Sequence, residues 1–433
     1  MAQLELGTAE LNITPPLGVS LAGSFSDRKA NDVHDDLHVK TLVIGNGDTK
    51  LAIVVCDLIL IERQDTDPAK EMIQERCCIP PERVMIAATH THTGPAPADI
   101  LGVRREEEYM LGVQRKIADS IALAIGRMEP VEWGFGVGSE KRLIGNRRYK
   151  MKHGGVQMNP GLGNPGCVEP AGPIDPDVNV LCFRRPDDGT AGLLCNYSLH
   201  YVGGGNGLAV SADYFAVFCE VIQKLMGERF QAILANACCG DINNTHVVGA
   251  VPRKTGPYNQ MTHVATVLAA EALKVVEFME FLPEAELGAS METLTIKRRT
   301  PGGEELARIK RDLELAGRGM ERYEQYAEEH ERMKGGPTED ETYVNAMRIG
   351  DVAIVGLPGE IFVEVGLEIK EKSPFRHTFV VELANDWIGY IPTKRGFEGG
   401  GYETWLARSS RAVPAAAAMM AESAVRQLEK LKG

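Results

Sequence analysis

Short, uniformly apolar runs alternate with helical ones along most of the chain, and this alternation constrains the fold more than any other feature. Strand-type runs are expected at 40–44, 51–58, 84–89, 131–136, 178–183, 193–198, 232–235, 346–348, 352–357 and 379–382. Helical periodicity predicts helices over 65–75, 106–127, 213–225, 260–278, 304–333, 362–371 and 414–431. The strand runs are rich in Val, Ile, Leu and Ala with little polar alternation, as strands buried on both faces are. An α/β fold follows, with mixed, largely buried sheets layered with helices, rather than a β-sandwich. No internal repeat of fixed period appears, and no Ser/Pro/Gly-rich linker divides the 433 residues. A single large domain over 1–433 is expected.

Two stretches stand apart. Residues 145–177 are rich in Gly and Pro and read as a long ordered loop, a feature that is often functional inside a compact domain. Residues 303–334 are highly charged and helical, interrupted near Gly317 and Gly319. They read as a solvated surface helical insertion, with a lid or a contact in a homo-oligomer as the alternatives.

Charge and composition exclude several partners. Acidic residues (60) outnumber basic ones (47), giving a net charge of −13, so neither a nucleic-acid backbone nor an anionic membrane surface is an expected partner. No apolar run reaches the roughly 18 residues of a spanning helix, and the N-terminus lacks the pattern of a signal peptide. A cytoplasmic location is the expectation. Nine cysteines, odd in number and without a CxxC pair, read as reduced structural thiols.

The informative segment is Ile86-Ala-Ala-Thr-His90-Thr-His92-Thr-Gly-Pro95. An apolar strand runs into two histidines at i and i+2, which on a strand puts both imidazoles on one face. Neutral imidazole is a good zinc ligand, so the pattern suits a metal, although a chance pairing stays open on these residues alone. His200 ends a second buried run, Tyr197-Ser-Leu-His200, before three glycines. His34 and His38 read as part of a polar entry turn. His246, after Gly240-Asp241-Ile-Asn243-Asn244, is a candidate to line a cleft. Gly161-Leu-Gly163-Asn-Pro-Gly166 matches GxGxxG formally, but a proline interrupts it and no strand-to-helix context surrounds it, so it is read as a decoy.

With these residues in view, the chain resembles the catalytic domain of the neutral (non-lysosomal) ceramidase family. The resemblance rests on Asn12-Ile-Thr-Pro-Pro-Leu-Gly18, Ala88-Thr-His90-Thr-His92-Thr-Gly-Pro95, Asn146-Arg147, Tyr197-Ser-Leu-His200, Gly240-Asp241-Ile-Asn, Leu357-Pro-Gly-Glu360, Gly389-Tyr390-Ile-Pro-Thr and Tyr402-Glu, in that order. It implies a zinc ion held by His90, His200, Glu360 and Tyr390, with His92 facing the substrate. Tyr402 is implied as a second active-site tyrosine. Arg147, or its neighbour Arg148, is implied as the active-site arginine. Members of that family carry an additional immunoglobulin-like domain. This chain ends in a helical run 31 residues after Tyr402 without an export signal, so a stand-alone catalytic domain acting on something other than ceramide is expected.

The resemblance implies a zinc-dependent hydrolase of an amide C–N bond, using a metal-activated water on a small polar acyl-amide. His92 and Tyr402 would stabilise the oxyanion, Arg147 would orient the substrate, and the amine would take a proton from His92 or from the metal site. A zinc-dependent lactone or ester hydrolase is the first alternative. A non-catalytic metal-stabilised binding protein is the second.

Overall fold

The computed structural model describes residues 3–47, 49–186, 189–244, 253–317 and 320–433; His246 and Gly319 lie outside the described residues. One arrangement of strands and helices occurs three times in it. The first unit runs β1 (Glu5–Asn12), β2 (His38–Gly45), β3 (Lys50–Cys56), α1 (Arg63–Cys77), β4 (Val84–Ala88) and α2 (Glu107–Ile125). The second runs β5 (Glu132–Ser139), β6 (Asp177–Arg184), β7 (Thr190–Tyr197), α3 (Tyr214–Met226), β8 (Gln231–Asn236) and α4 (Asn259–Glu277). The third begins with β9 (Leu287–Lys297), carries the hairpin α5 (Gly303–Leu315) and α6 (Met320–Met333), and continues through β10 (Glu339–Ile349), β11 (Val352–Gly356), α7 (Val363–Lys372), β12 (His377–Val381) and α8 (Ala416–Lys432). In every unit strands one to three pair antiparallel in sequence order. The fourth pairs parallel to the third after a helical crossover.

The uniform hydrophobicity of the strands has a simple cause: both faces of each sheet are buried. In β3, Leu51, Ile53 and Val55 point into a core shared by all three sheets, where they join Leu181, Leu194 and Ile233 of the second unit and Met347, Ile354 and Phe379 of the third. The alternate residues Ala52, Val54 and Cys56 face α1 and α2. The outer faces of the second and third sheets are covered in the same way by α3 with α4 and by α7 with α8. The fold is therefore α/β with mixed sheets layered with helices, as the alternation of runs implies.

The structure adds to the sequence reading at two points and corrects it at one. The repeat exists in topology but not as a sequence period, because the segments joining strands one and two (13–37, 140–176 and 298–338) differ in length and content. The stretch 145–177 is not a loop throughout: Arg148–Met151 pairs with Val156–Met158 and with Cys167–Pro170, and Gly161–Gly166 is a turn leading into a strand. Lastly, β1 and β9 escape the apolar pattern because their polar residues alternate towards partly exposed positions. Among the described residues, no helix is long and apolar enough to cross a membrane.

Candidate metal centre

The site is built from loops of all three units. His90 and His92 follow β4, His200 and Tyr201 follow β7, and Glu360 follows β11. The two histidines of Thr-His-Thr-His do not sit on a strand, since β4 ends at Ala88. His90 instead adopts a left-handed backbone, φ 73°, and this turn redirects its ring so that it meets His92 edge to face, 4.7 Å between centroids. Such a conformation is uncommon in a residue with a Cβ and is held by its surroundings. The His90 amide donates to the Leu58 carbonyl at 2.8 Å, and Asn236 donates to the Thr89 carbonyl at 2.8 Å.

The Nε2 atoms of the three histidines converge: His90 to His200 is 3.0 Å and His92 to His90 is 3.2 Å. Each ring has its Nδ1 against a backbone carbonyl, His90 to Ile59 at 2.6 Å, His92 to Gly23 at 3.0 Å and His200 to Cys239 at 3.2 Å. Those carbonyls can only accept, so the Nδ1 atoms carry the protons and the three Nε2 lone pairs face one another. Burial lowers the pKa of all three, His92 and His200 most, and so keeps the rings neutral. The Glu360 Oε2 lies 3.5 Å from the His90 Nε2 and 3.9 Å from that of His200, and has no hydrogen-bond partner despite its burial. Three lone pairs and an orphaned carboxylate oxygen aimed at one point are a donor set that fits a divalent cation.

Tyr390 lies beside Glu360 because the short strands Glu360–Ile361 and Tyr390–Ile391 pair in register. Gly359 permits this pairing, since a Cβ there would lie 2.5 Å from the Gly389 carbonyl oxygen. The Tyr390 phenol accepts from Arg147 Nη2 at 3.1 Å. Arg147 is in turn fixed through its Nε to Glu403 at 2.8 Å. Arg148 binds the other oxygen of Glu403 at 2.6 Å but turns away, donating to the carbonyls of Gly396 and Gly400. Of the two adjacent arginines, Arg147 is the one that lines the groove above the histidines.

That groove encloses about 670 Å³, with His92, His200, Arg147, Tyr390 and Tyr402 on its floor and sides. Tyr402 lies edge to face with Tyr390, 5.6 Å between centroids, and burial pushes its phenol pKa up so that it keeps its proton. The structure thus brings all seven sequence-derived site residues together. It also adds residues that sequence reasoning missed. Tyr201 stacks on His92 at 3.7 Å, and Gly23 lies so close to the ring that a Cβ there would be 2.5 Å from His92 Cγ. Glu403 anchors Arg147, and Trp387 donates to Glu360 Oε1 at 3.3 Å. Only the Tyr402-Glu pair hinted at any of these. The charged insertion is not a bystander either, because Glu321, Arg322 and Gln325 of α6 form one wall of the groove. His34 stacks on Tyr258 and His38 faces Glu10, both outside the site.

No family model and no curated protein matches the chain. Solved structures do. A neutral ceramidase from Pseudomonas aeruginosa matches at a TM-score of 0.77 and 20% identity, over 100% of this chain and 75% of that one. A structure described as ceramidase complexed with C2 matches at 0.78 and 18%, over 100% and 76%. At these identities the likeness is one of fold, and over its whole length the chain has the fold of the neutral ceramidases.

Proposed function

We propose that this chain is a zinc-dependent hydrolase that cleaves the C–N bond of a small, polar acyl-amide. One observation carries the reading: the partnerless Glu360 Oε2 and three imidazole lone pairs converge beneath a groove that also presents Arg147 and Tyr402. A purely structural metal needs only its closed set of ligands, with no groove above it. His90, His200, Glu360 and Tyr390, all buried, would hold the ion, while His92 is partly exposed to the groove. The 3.2 Å separation of the His92 and His90 Nε2 atoms favours a second version in which His92 is a ligand as well.

When bound, the ion supplies Lewis acidity and an acidified water. The protein's own groups divide the remaining work. His92 spends its one neutral-state proton on Gly23, so its Nε2 accepts a proton first and returns it to the departing amine. Tyr402, which keeps its phenolic proton, is the donor to the developing oxyanion. Arg147, held between Glu403 and Tyr390, orients the polar part of the substrate from the groove side.

Hydrolysis of a panel of acyl-amides, lactones and esters, with protein stripped of metal as control, tests the assignment. Cleavage of acyl-amides that disappears on stripping and returns with zinc supports it. Turnover of lactones or esters alone would replace it with the ester reading.

A further inference from the structure

Beside the metal-ligand cluster lies a second, much smaller cavity of about 60 Å³. It shares His92, Tyr390 and Tyr402 with the large groove, so those side chains stand at the neck between the two spaces. His90 and Glu360 line only the smaller one. Its far wall is apolar: Ile59, Leu60, Ile100, Leu101 and Trp387. Ile59, Leu60 and Trp387 belong to the packed core under the first sheet, and Ile100 packs against it. This wall therefore cannot retreat without disturbing close packing.

The two spaces differ in what they can hold. The groove carries Asn159, Asn243, Glu321 and Arg322 along its sides. The small cavity has no charged group beyond the cluster itself. On the amide-hydrolase reading, on which this inference rests, oxygen from water bonds to the acyl carbon, the C–N bond breaks and a proton goes to the nitrogen. The amine so released is a cation near neutral pH, and a cation is disfavoured against an apolar wall. The acid keeps its carboxylate at the histidines and leaves only its alkyl tail to be placed.

We propose that the small cavity is the acyl pocket and that it limits this protein to short-chain acyl groups, with the amine portion of the substrate in the groove. A space of about 60 Å³ takes roughly four water-sized groups at about 15 Å³ each, so it admits an alkyl tail of about four carbons or fewer. Each methylene beyond that must displace core side chains, which costs more than its burial returns.

The test uses the zinc-loaded full chain and one amine acylated with acetyl, butanoyl, hexanoyl or octanoyl groups, beside the same four acyl groups as esters. In whichever series is cleaved, kcat/KM falls by about tenfold or more from butanoyl to octanoyl. Ile100→Ala and Leu101→Ala, at the edge of the wall, each move the optimum towards hexanoyl at unchanged zinc content. Calorimetry gives a readout independent of turnover: butanoate binds at least about tenfold more tightly than octanoate. Octanoyl substrates equal to or better than butanoyl ones, or an unchanged chain-length profile in both variants, overturns the proposal. Cleavage of esters but not amides refutes the bond assignment while the profile still decides the pocket. If neither series is cleaved, the hydrolase reading fails and alkanoate binding alone decides it.

Discussion

Gly23 shows how much of the site depends on single atoms. Its φ is +90°, and a Cβ would lie 2.5 Å from His92 Cγ, against a ring already stacked on Tyr201. Gly23→Ala should push the His92 ring out of line and lower kcat by roughly 10²-fold, with zinc content retained. Steady-state kinetics beside elemental analysis checks this. His90→Ala and His200→Ala should each empty the site, whereas His92→Ala should keep metal and lose turnover. An empty site in His92→Ala would show that His92 is a ligand. A different residue sets a pH dependence of stability. Asp35 accepts hydrogen bonds from the Ser211 hydroxyl and the Ala212 amide, yet burial pushes its carboxyl up to about 7. Its folded pKa is above its unfolded one, so its contribution is complete below about pH 4 and is lost as pH rises through 7. Between pH 5 and 8 the wild type should lose on the order of 3 kcal/mol relative to Asp35→Asn, read from denaturant midpoints. Parallel profiles would refute it. At this scale Thr-His-Thr-His and Leu-Pro-Gly-Glu were legible because motif and chemistry coincide. Tyr201, Gly23 and Glu403 were not, because a stacking ring, a missing Cβ and a buried counter-charge have no local sequence pattern.

Among the elements, the α5–α6 hairpin changes meaning most. Its charge pattern reads as a solvated face, but Ile309, Leu313 and Tyr326 pack with Trp405 and Ala407, next to Tyr402. Gln325 donates to the Phe25 carbonyl at 2.9 Å, and the Arg322 guanidinium lies over the Phe25 ring. The hairpin thus carries groove residues into place opposite Arg147. Arg322→Ala should raise KM several-fold at nearly constant kcat, since it removes a groove-wall group that has no part in the proton transfers. Equal losses in kcat and kcat/KM would place Arg322 in the chemistry instead. The adjacent Arg147 and Arg148 show a second dependence, because both guanidiniums share the buried Glu403. Glu403→Gln should cost about 3–5 kcal/mol of stability by leaving two buried cations underpaired, measured by chemical unfolding. The helices that cover the sheets were readable because each keeps its 3.6-residue pattern on the buried face. The short strands of 145–177 were not, because their Gly and Pro signal turns, and the chain uses those turns to bend a small sheet over the site.

Across the whole molecule, the three-fold repetition of one unit explains where the site lies. Each unit sends residues to the groove or to the small cavity beside it: Gly23 and His92 from the first, Arg147 and His200 from the second, Arg322, Glu360 and Tyr402 from the third. No single unit supplies a complete metal site, so the three sheets must share a core before His90, His200 and Glu360 can meet. That assembly was invisible in the sequence because the repeat lies in strand pairing, and the inserted segments that carry the site are what differ between units. If these side chains form a catalytic metal centre, a zinc titration of metal-stripped protein, followed by acyl-amide cleavage, will show it. Without metal there should be no cleavage, activity should rise linearly and saturate at about one zinc per chain, and Glu360→Ala should not recover. Cleavage by the stripped protein, or undiminished recovery in Glu360→Ala, would contradict it.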